Sequence, residues 1–275
     1  MKIVRFEHSG HERWGVVDAD LVVPIPGDDS FHVAIENARN LRVDDAVALS
    51  TVKLVAPVRR DAKIICAGLN YRGHLQEMKR DLPTHPSIFL RFPDSFVGNA
   101  ENVIRPRVTD SFDYEAELAV VIGKEARYVA NSEALDYVAG YTCMAENSAR
   151  DFQKHNTQAT PGKNFDRSGA IGPWIVTADE IPDPSRLTLI GRLNGDEVQR
   201  TGTDDLIFSV SHLIEYISSF TTLYPGDVIA TGTPDGIGMT RTPPRYLKEG
   251  DTFEVEIDSI GTLINYVINE NRRGK

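Results

Sequence analysis

The sequence predicts an α+β fold with a largely β core, on three observations. Candidate strands outnumber candidate helices and do not alternate with them regularly, which argues against a doubly wound parallel sheet. One segment, Asp204 to Phe220, carries a strong helical pattern, with Leu206, Val210, Leu213, Ile214 and Ile217 at helical spacing. Asn194-Gly195, at the end of an apolar run from Leu187 to Leu193, is the strongest hairpin signal in the chain.

In chain order, residues 1–57 read as a small N-terminal α+β module. Its strands are expected at Lys2 to Glu7, Trp14 to Val17 and Leu21 to Pro26, followed by a weak helix from Phe31 to Ala48. Residues 58–275 read as the main domain. Lys63 to Ala67 is an apolar strand entering Gly68-Leu69-Asn70-Tyr71, and a polar helix follows from His74 to about Arg80. Ser87 to Arg91 is a further strand. Asp113 to Ile122 is the clearest strand of all, ended by Gly123-Lys124. The remaining expectations are a short helix from Glu133 to Ala139, a strand from Gly140 to Met144, a helix from Asn147 to His155, and strands at Gly172 to Val176, Asp227 to Thr231, Thr252 to Ile257 and Leu263 to Ile268.

Composition bounds the function. The 275 residues are 41% hydrophobic and 25% charged, ordinary for a globular protein, with a formal net charge of −10. That balance argues against a nucleic-acid partner, and the terminal Arg272-Arg273-Gly274-Lys275 is too short to act as a basic patch. An anionic substrate would need local cations, either a metal or placed Arg and Lys, to overcome the long-range repulsion. Cys66 and Cys143 sit in apolar runs and read as buried, reduced thiols. The N-terminus has no apolar signal stretch and no run is long enough to span a bilayer, so a cytoplasmic protein is expected.

Several clusters carry candidate chemistry. Alternation along Asp113–Ile122 puts Glu115 and Glu117 on one face with Ala119 and Val121, roughly 6–7 Å apart along the backbone. Tyr114, Ala116, Leu118, Val120 and Ile122 take the other face. Two buried like charges at that spacing call for a cation, and oxygen donors suit Mg²⁺ or Mn²⁺. The alternative is a half-exposed strand end with solvated acids. Glu146, Arg150 and Gln153 fall on one face if a helix begins here. Glu146 then offers a third oxygen, Arg150 a fork for a carboxylate and Gln153 a hydrogen bond to a carbonyl. The alternative is a solvated Glu–Arg pair. His74 and Glu77 lie one helical turn apart, the arrangement of a general base with its orienting carboxylate, or a chance surface pair. Lys163 sits in the Gly-flanked stretch Pro161-Gly162-Lys163-Asn164-Phe165. Thr231-Gly232-Thr233-Pro234-Asp235-Gly236 is a strand running into a Gly-rich turn that can present N–H groups to a carboxylate, but it is not a P-loop.

Taken in order, these stretches resemble the fumarylacetoacetate hydrolase family. The matching segments are Gly68-Leu69-Asn70-Tyr71 with His74 and Glu77, Asp113-Tyr114-Glu115-Ala116-Glu117-Leu118, Ser148-Ala149-Arg150-Asp151, Gly162-Lys163-Asn164-Phe165-Asp166, Gly172-Pro173-Trp174, Asn194-Gly195, and Gly226-Asp227-Val228-Ile229 with Thr231-Gly232-Thr233-Pro234. The resemblance implies a mixed β-sandwich or roll catalytic fold, a homodimer, and a bound Mg²⁺ or Mn²⁺. It implies Glu115 and Glu117 as metal ligands, with Glu146 as the third where the family usually has an Asp. It further implies His74 and Glu77 as a catalytic dyad on a lid, Lys163 as an active-site cation, and Tyr71, Arg150, Gln153 and Thr233 facing substrate. The expected activity is hydrolytic C–C cleavage of an acylpyruvate or other diketo acid through a metal-held enolate. Decarboxylation of a 2-oxo acid of the oxaloacetate type, 2-hydroxymuconate-type isomerisation and a lyase reaction are the alternatives on the same site. A metal-binding scaffold without catalysis is the non-enzymatic alternative.

Overall fold

The computed structural model describes all residues except 28–29, 39–40, 42–44 and 272–275. The basic end at 272–275 and part of the helix expected from Phe31 to Ala48 therefore lie outside the described residues. Among the described residues, a twelve-stranded, mainly antiparallel sheet organises the molecule. Its centre runs Lys2–His8, Gly169–Thr177, Val138–Ala145, Ala116–Ile122, Val228–Ala230 and Ile64–Gly68, with Ser87–Arg91 at one edge. A five-stranded sheet, Asp196–Gly202, Thr188–Leu193, Thr252–Ile257, Gly261–Asn269 and Asn102–Arg105, packs against one face.

The large sheet is buried on both faces, and the period of two decides which residue meets which core. Tyr114, Ala116, Leu118, Val120 and Ile122 join the core shared with the five-stranded sheet and with the helix Val210–Phe220. Ala119 and Val121 join the opposite core with Ile3, Trp14, Phe31, Met144 and Ile175. That second core draws on residues 1–57 and on the main domain together. Lys2–His8 pairs with Gly169–Thr177, so the N-terminal strands extend the main sheet. The expected buried thiols are found: Cys66 and Cys143 are free and buried. The Asn194-Gly195 turn closes the hairpin Thr188–Leu193/Asp196–Gly202 with φ of 56° and 83°, a left-handed pair that this dipeptide tolerates best.

Five expected elements are corrected. The helix expected from Phe31 to Ala48 is Phe31–Asn37, and Val47–Ala48 is instead a strand paired with Leu21–Pro24. The strand expected from Asp113 to Ile122 is two pieces, Phe112–Asp113 and Ala116–Ile122, interrupted at Tyr114-Glu115. The helix expected from Asn147 to His155 is only Arg150–Gln153, because Ser148–Ala149 pairs with Phe112–Asp113 and keeps the chain extended. The helix expected from Asp204 begins at Val210, where the Ser209 side chain caps it by accepting from His212 N–H; Leu206 instead bridges Tyr71. The short helix from Glu133 is a 3₁₀ segment, Asn131–Tyr137.

Phe31 is 2% exposed and packs edge-on to Trp14 at 5.1 Å, in the core shared by both parts of the chain. Phe31→Ala is expected to cost about 3–5 kcal/mol and to shift one cooperative urea transition of the whole protein. Two separated transitions, with only the first shifted, would contradict a shared core.

Candidate metal centre and its catalytic dyad

The site lies where the antiparallel partners Ala116–Ile122 and Val138–Ala145 lose their register. Pairing runs down to Ala116↔Ala145 and resumes at Asp113↔Ser148. Glu115 and Glu146 fall in the gap, held together by a bond from the Glu146 N–H to the Glu115 carbonyl at 2.9 Å. This break turns both side chains to the same place. Carboxylate oxygens of Glu115, Glu117 and Glu146 lie within 4.8 Å of one another, and all three residues are buried. The buried alternative thus holds over solvated acids, and Glu146 reaches the cluster from a strand end, not from a helix.

Three buried cations face four buried carboxylates. Lys163 Nζ bridges Glu115 and Glu146. Arg150 sits with Nη2 2.7 Å from Glu115 Oε1 and donates through Nε to Asp113 Oδ2 at 2.8 Å. Arg91 donates to Glu146 Oε1 at 3.0 Å. Glu117 has no cation paired with it among the described residues; its Oε2 accepts from the Gly232 N–H at 2.9 Å. Gly232 has φ +106°, and a Cβ there would come within 2.9 Å of the Asn70 Cβ, so glycine lets this amide reach the carboxylate.

Each titrating group follows from these neighbours. Burial, reinforced by the charges of Glu146 and Glu115, pushes Glu117 well above the ordinary carboxylate range. Burial also raises Glu146, although Lys163 opposes it. Burial acts on Glu115 too, but Arg150 and Lys163 outweigh it and hold the carboxyl low. Burial alone would lower Lys163, yet Glu115 and Glu146 keep it charged. The net result is a desolvated cluster of four carboxyl groups against three cations, with three hard oxygen donors that burial disfavours in their charged form. That donor set fits Mg²⁺ or Mn²⁺.

The structure also brings together the His74–Glu77 pair expected from the sequence. His74, 5% exposed, bonds through Nδ1 to Glu77 Oε2 at 3.0 Å. Glu77 Oε1 accepts from the Gly236 N–H at 3.0 Å and from the Thr240 hydroxyl. Burial would raise Glu77, but the bonds from His74, Thr240 and Gly236 prevail and hold it below its ordinary value. An ionised carboxylate only accepts, so the proton of the neutral ring sits on Nδ1 and Nε2 keeps its lone pair. The same loop returns to the metal cluster: Gly238 and Met239 donate their N–H groups to Asp113, which holds Arg150.

The other expected residues are placed as follows. Tyr71 is fully buried at the start of the His74 helix, and burial together with the charge of Glu117 raises its phenol. Arg150 is engaged by Asp113 and Glu115 and donates through Nη1 to Gln153 Oε1 at 3.1 Å. Thr233 donates its hydroxyl to the Ala116 carbonyl at 3.0 Å and accepts from Gln199 Nε2 at 2.9 Å. Gln199 Oε1 in turn accepts from the Ala116 N–H at 2.9 Å. This closed ring fixes the peptide between Glu115 and Glu117. Sequence reasoning missed Gln199, Asp113, Thr240 and Arg91. Only Arg91 carried a local signal, as a lone charge in the apolar run Ile88-Phe89-Leu90-Arg91-Phe92.

Glu117→Gln replaces a buried carboxyl that must keep its proton in the metal-free fold but ionises on unfolding, and it removes a candidate ligand. In chelator at neutral pH, it is expected to raise the melting temperature of the metal-free protein. It is also expected to abolish the stabilisation by Mn²⁺, which reaches about 2.7 kcal/mol at a hundredfold excess over Kd. A variant that still gains stability with Mn²⁺ as the parent does would remove Glu117 from the ligand set.

Known proteins resemble this chain over most of its length. The family model for the fumarylacetoacetate (FAA) hydrolase C-terminal region matches residues 63–268, and a model described as Rv2993c-like, N-terminal, matches residues 1–57. The chain is 44% identical over 220 residues to oxaloacetate tautomerase Fahd2a, mitochondrial, of Rattus norvegicus, covering 80% of this chain and 70% of that protein. It superposes on the fumarylacetoacetate hydrolase of Exiguobacterium antarcticum with TM-score 0.87 and 36% identity, over 98% of this chain and 100% of that one. It also superposes on the maleylpyruvate hydrolase of Sphingobium sp. SYK-6 in complex with manganese(II) and pyruvate, with TM-score 0.80 and 29% identity over 98% and 100% of the two chains. With the family match spanning residues 63–268 and these likenesses over most of its length, this chain belongs to the fumarylacetoacetate hydrolase family.

Proposed function

We propose that this protein is a divalent-metal-dependent enzyme that moves a proton at the carbon beside the oxo group of a small 2-oxo dicarboxylate of the oxaloacetate class. The observation that carries the reading is the His74–Glu77 dyad, docked on the Gly236–Thr240 loop and tied through Asp113 and Arg150 to the carboxylate cluster. The likeness to the rat oxaloacetate tautomerase supports the same substrate class.

Glu115, Glu117 and Glu146 would hold the cation, which supplies Lewis acidity that makes the neighbouring carbon more acidic. His74 Nε2 takes the proton from that carbon, and Glu77 stabilises the imidazolium that forms. His74 then returns the proton to oxygen, giving the enol, or to carbon in the reverse direction. Lys163 and Arg150 offset the charges of Glu115, Glu146 and Asp113, which lowers the repulsion a dianion meets in a protein of net charge −10. The amide nitrogen of Gln153, whose oxygen is held by Arg150, is free to donate to a substrate oxygen.

Hydrolytic C–C cleavage is the second reading. The same base would draw the proton from water, and the likeness to the maleylpyruvate hydrolase supports it. A homodimer belongs to either reading: Leu90, in the edge strand Ser87–Arg91, and Phe92, just after it, are 51% and 57% exposed and offer an apolar face to a second copy, which light scattering would register.

The test follows enol absorbance of oxaloacetate, and cleavage of acylpyruvates in parallel, with Mg²⁺, Mn²⁺ or chelator. Metal-dependent loss of the enol signal is expected. His74→Ala should lower kcat by about 10²–10⁴-fold with Mn²⁺ affinity unchanged. Acylpyruvate cleavage without tautomerisation would replace the first reading by the second, and full activity in His74→Ala would remove the dyad from both.

A further inference from the structure

Arg91 is among the largest side chains that are wholly buried, and its guanidinium is fixed on every side. Nε donates to Ser95 Oγ at 3.1 Å, Nη2 to Ser168 Oγ at 2.9 Å, and Nη1 to both Glu146 Oε1 at 3.0 Å and the Asn147 carbonyl at 3.2 Å. The plane lies over the Phe96 ring, 4.4 Å from its centroid. Gly169 leaves the space this needs, since a Cβ there would stand 3.0 Å from Arg91 Nη2 and 2.9 Å from the Phe96 ring. Such a socket is more than charge neutralisation: five contacts from three chain segments define one orientation of a planar fork.

The consequence falls on Glu146. Its carboxylate stands on a longer stem than aspartate and has one more rotatable bond to fix. Arg91 takes Oε1, and Oε2 is the oxygen that meets Lys163 inside the cluster. We propose that Arg91 is the positioning residue for Glu146, selecting which oxygen the third ligand presents to the cation. The proposal rests on the reading of Glu115, Glu117 and Glu146 as a metal site. Arg91 does not touch substrate or metal; it acts through the carboxylate.

The test uses metal-stripped full-length protein and Mn²⁺ alone, with free Mn²⁺ counted by electron paramagnetic resonance and no turnover required. Arg91→Met is expected to weaken Mn²⁺ binding by roughly 10–100-fold, the range for loss of a residue that orients a ligand. Arg91→Lys, which keeps the charge but not the fork, should recover only part of that loss and should alter the spectrum of bound Mn²⁺. The Ser95→Ala/Ser168→Ala pair loosens the guanidinium without touching Glu146 and covers the case in which Arg91→Met does not fold; a loss of several-fold is expected. Parental Mn²⁺ affinity in Arg91→Met, or in the serine pair if that variant cannot be made, overturns the proposal. Full recovery in Arg91→Lys also overturns it, reducing the role to charge. A parent protein that binds no Mn²⁺ overturns the metal reading itself, an outcome visible before any variant is made.

Discussion

Four carboxylates, Asp113, Glu115, Glu117 and Glu146, are buried around the start of one strand. Ionised acids in such a place cost several kcal/mol each unless something compensates them, and much of the surrounding structure reads as that compensation. Lys163, Arg150 and Arg91 are buried with them, and Gly232, Gly238 and Met239 turn their N–H groups inward. Those three cations leave Glu117 without a charge partner among the described residues, next to Glu115 and Glu146. Glu115, Glu117 and Glu146 would hold a small divalent cation, which would complete the balance and give the carboxylates a function.

The fold supplies the rigidity this requires. The large sheet is covered on both faces, so the strand Ala116–Ile122 is immobilised by two cores at once. Apart from Glu117, which is paired in the strand, the candidate site groups lie where that order stops: in the register break between Ala145 and Ser148, in the turn after Val228–Ala230, and on the short helix after Ile64–Gly68. Regular pairing satisfies backbone groups by itself. Where it lapses, side chains take over, as the ring of Gln199 and Thr233 around Ala116 does. The dyad depends on the same device, because Glu77 accepts two donors from the Gly236–Thr240 loop as well as His74.

How far the sequence revealed this depends on the range of the interaction. Local periodicity was enough to put Glu115 and Glu117 on one face and their neighbours in opposite cores, and to place His74 and Glu77 one turn apart. Asn194-Gly195 declared its hairpin because the turn is set by two residues. The helix expected around Glu146 failed because a strand pairing with Phe112–Asp113 overrode local preference. Gln199 was invisible as a site residue since its partner lies 83 positions away, and Arg91 showed only as a lone charge in an apolar run, its partner Glu146 being 55 positions away. Arg150 was legible as a charged group near the site, but its engagement with Asp113 and Glu115 needed three dimensions.

The central claim is that the three buried glutamates form one metal site. Crystals grown from metal-stripped protein, soaked in Mn²⁺ and measured at the manganese absorption edge, test it most directly. The account predicts one strong anomalous peak bonded to oxygens of Glu115, Glu117 and Glu146. No peak at that cluster at saturating Mn²⁺, with Lys163 alone bridging Glu115 and Glu146, would contradict it.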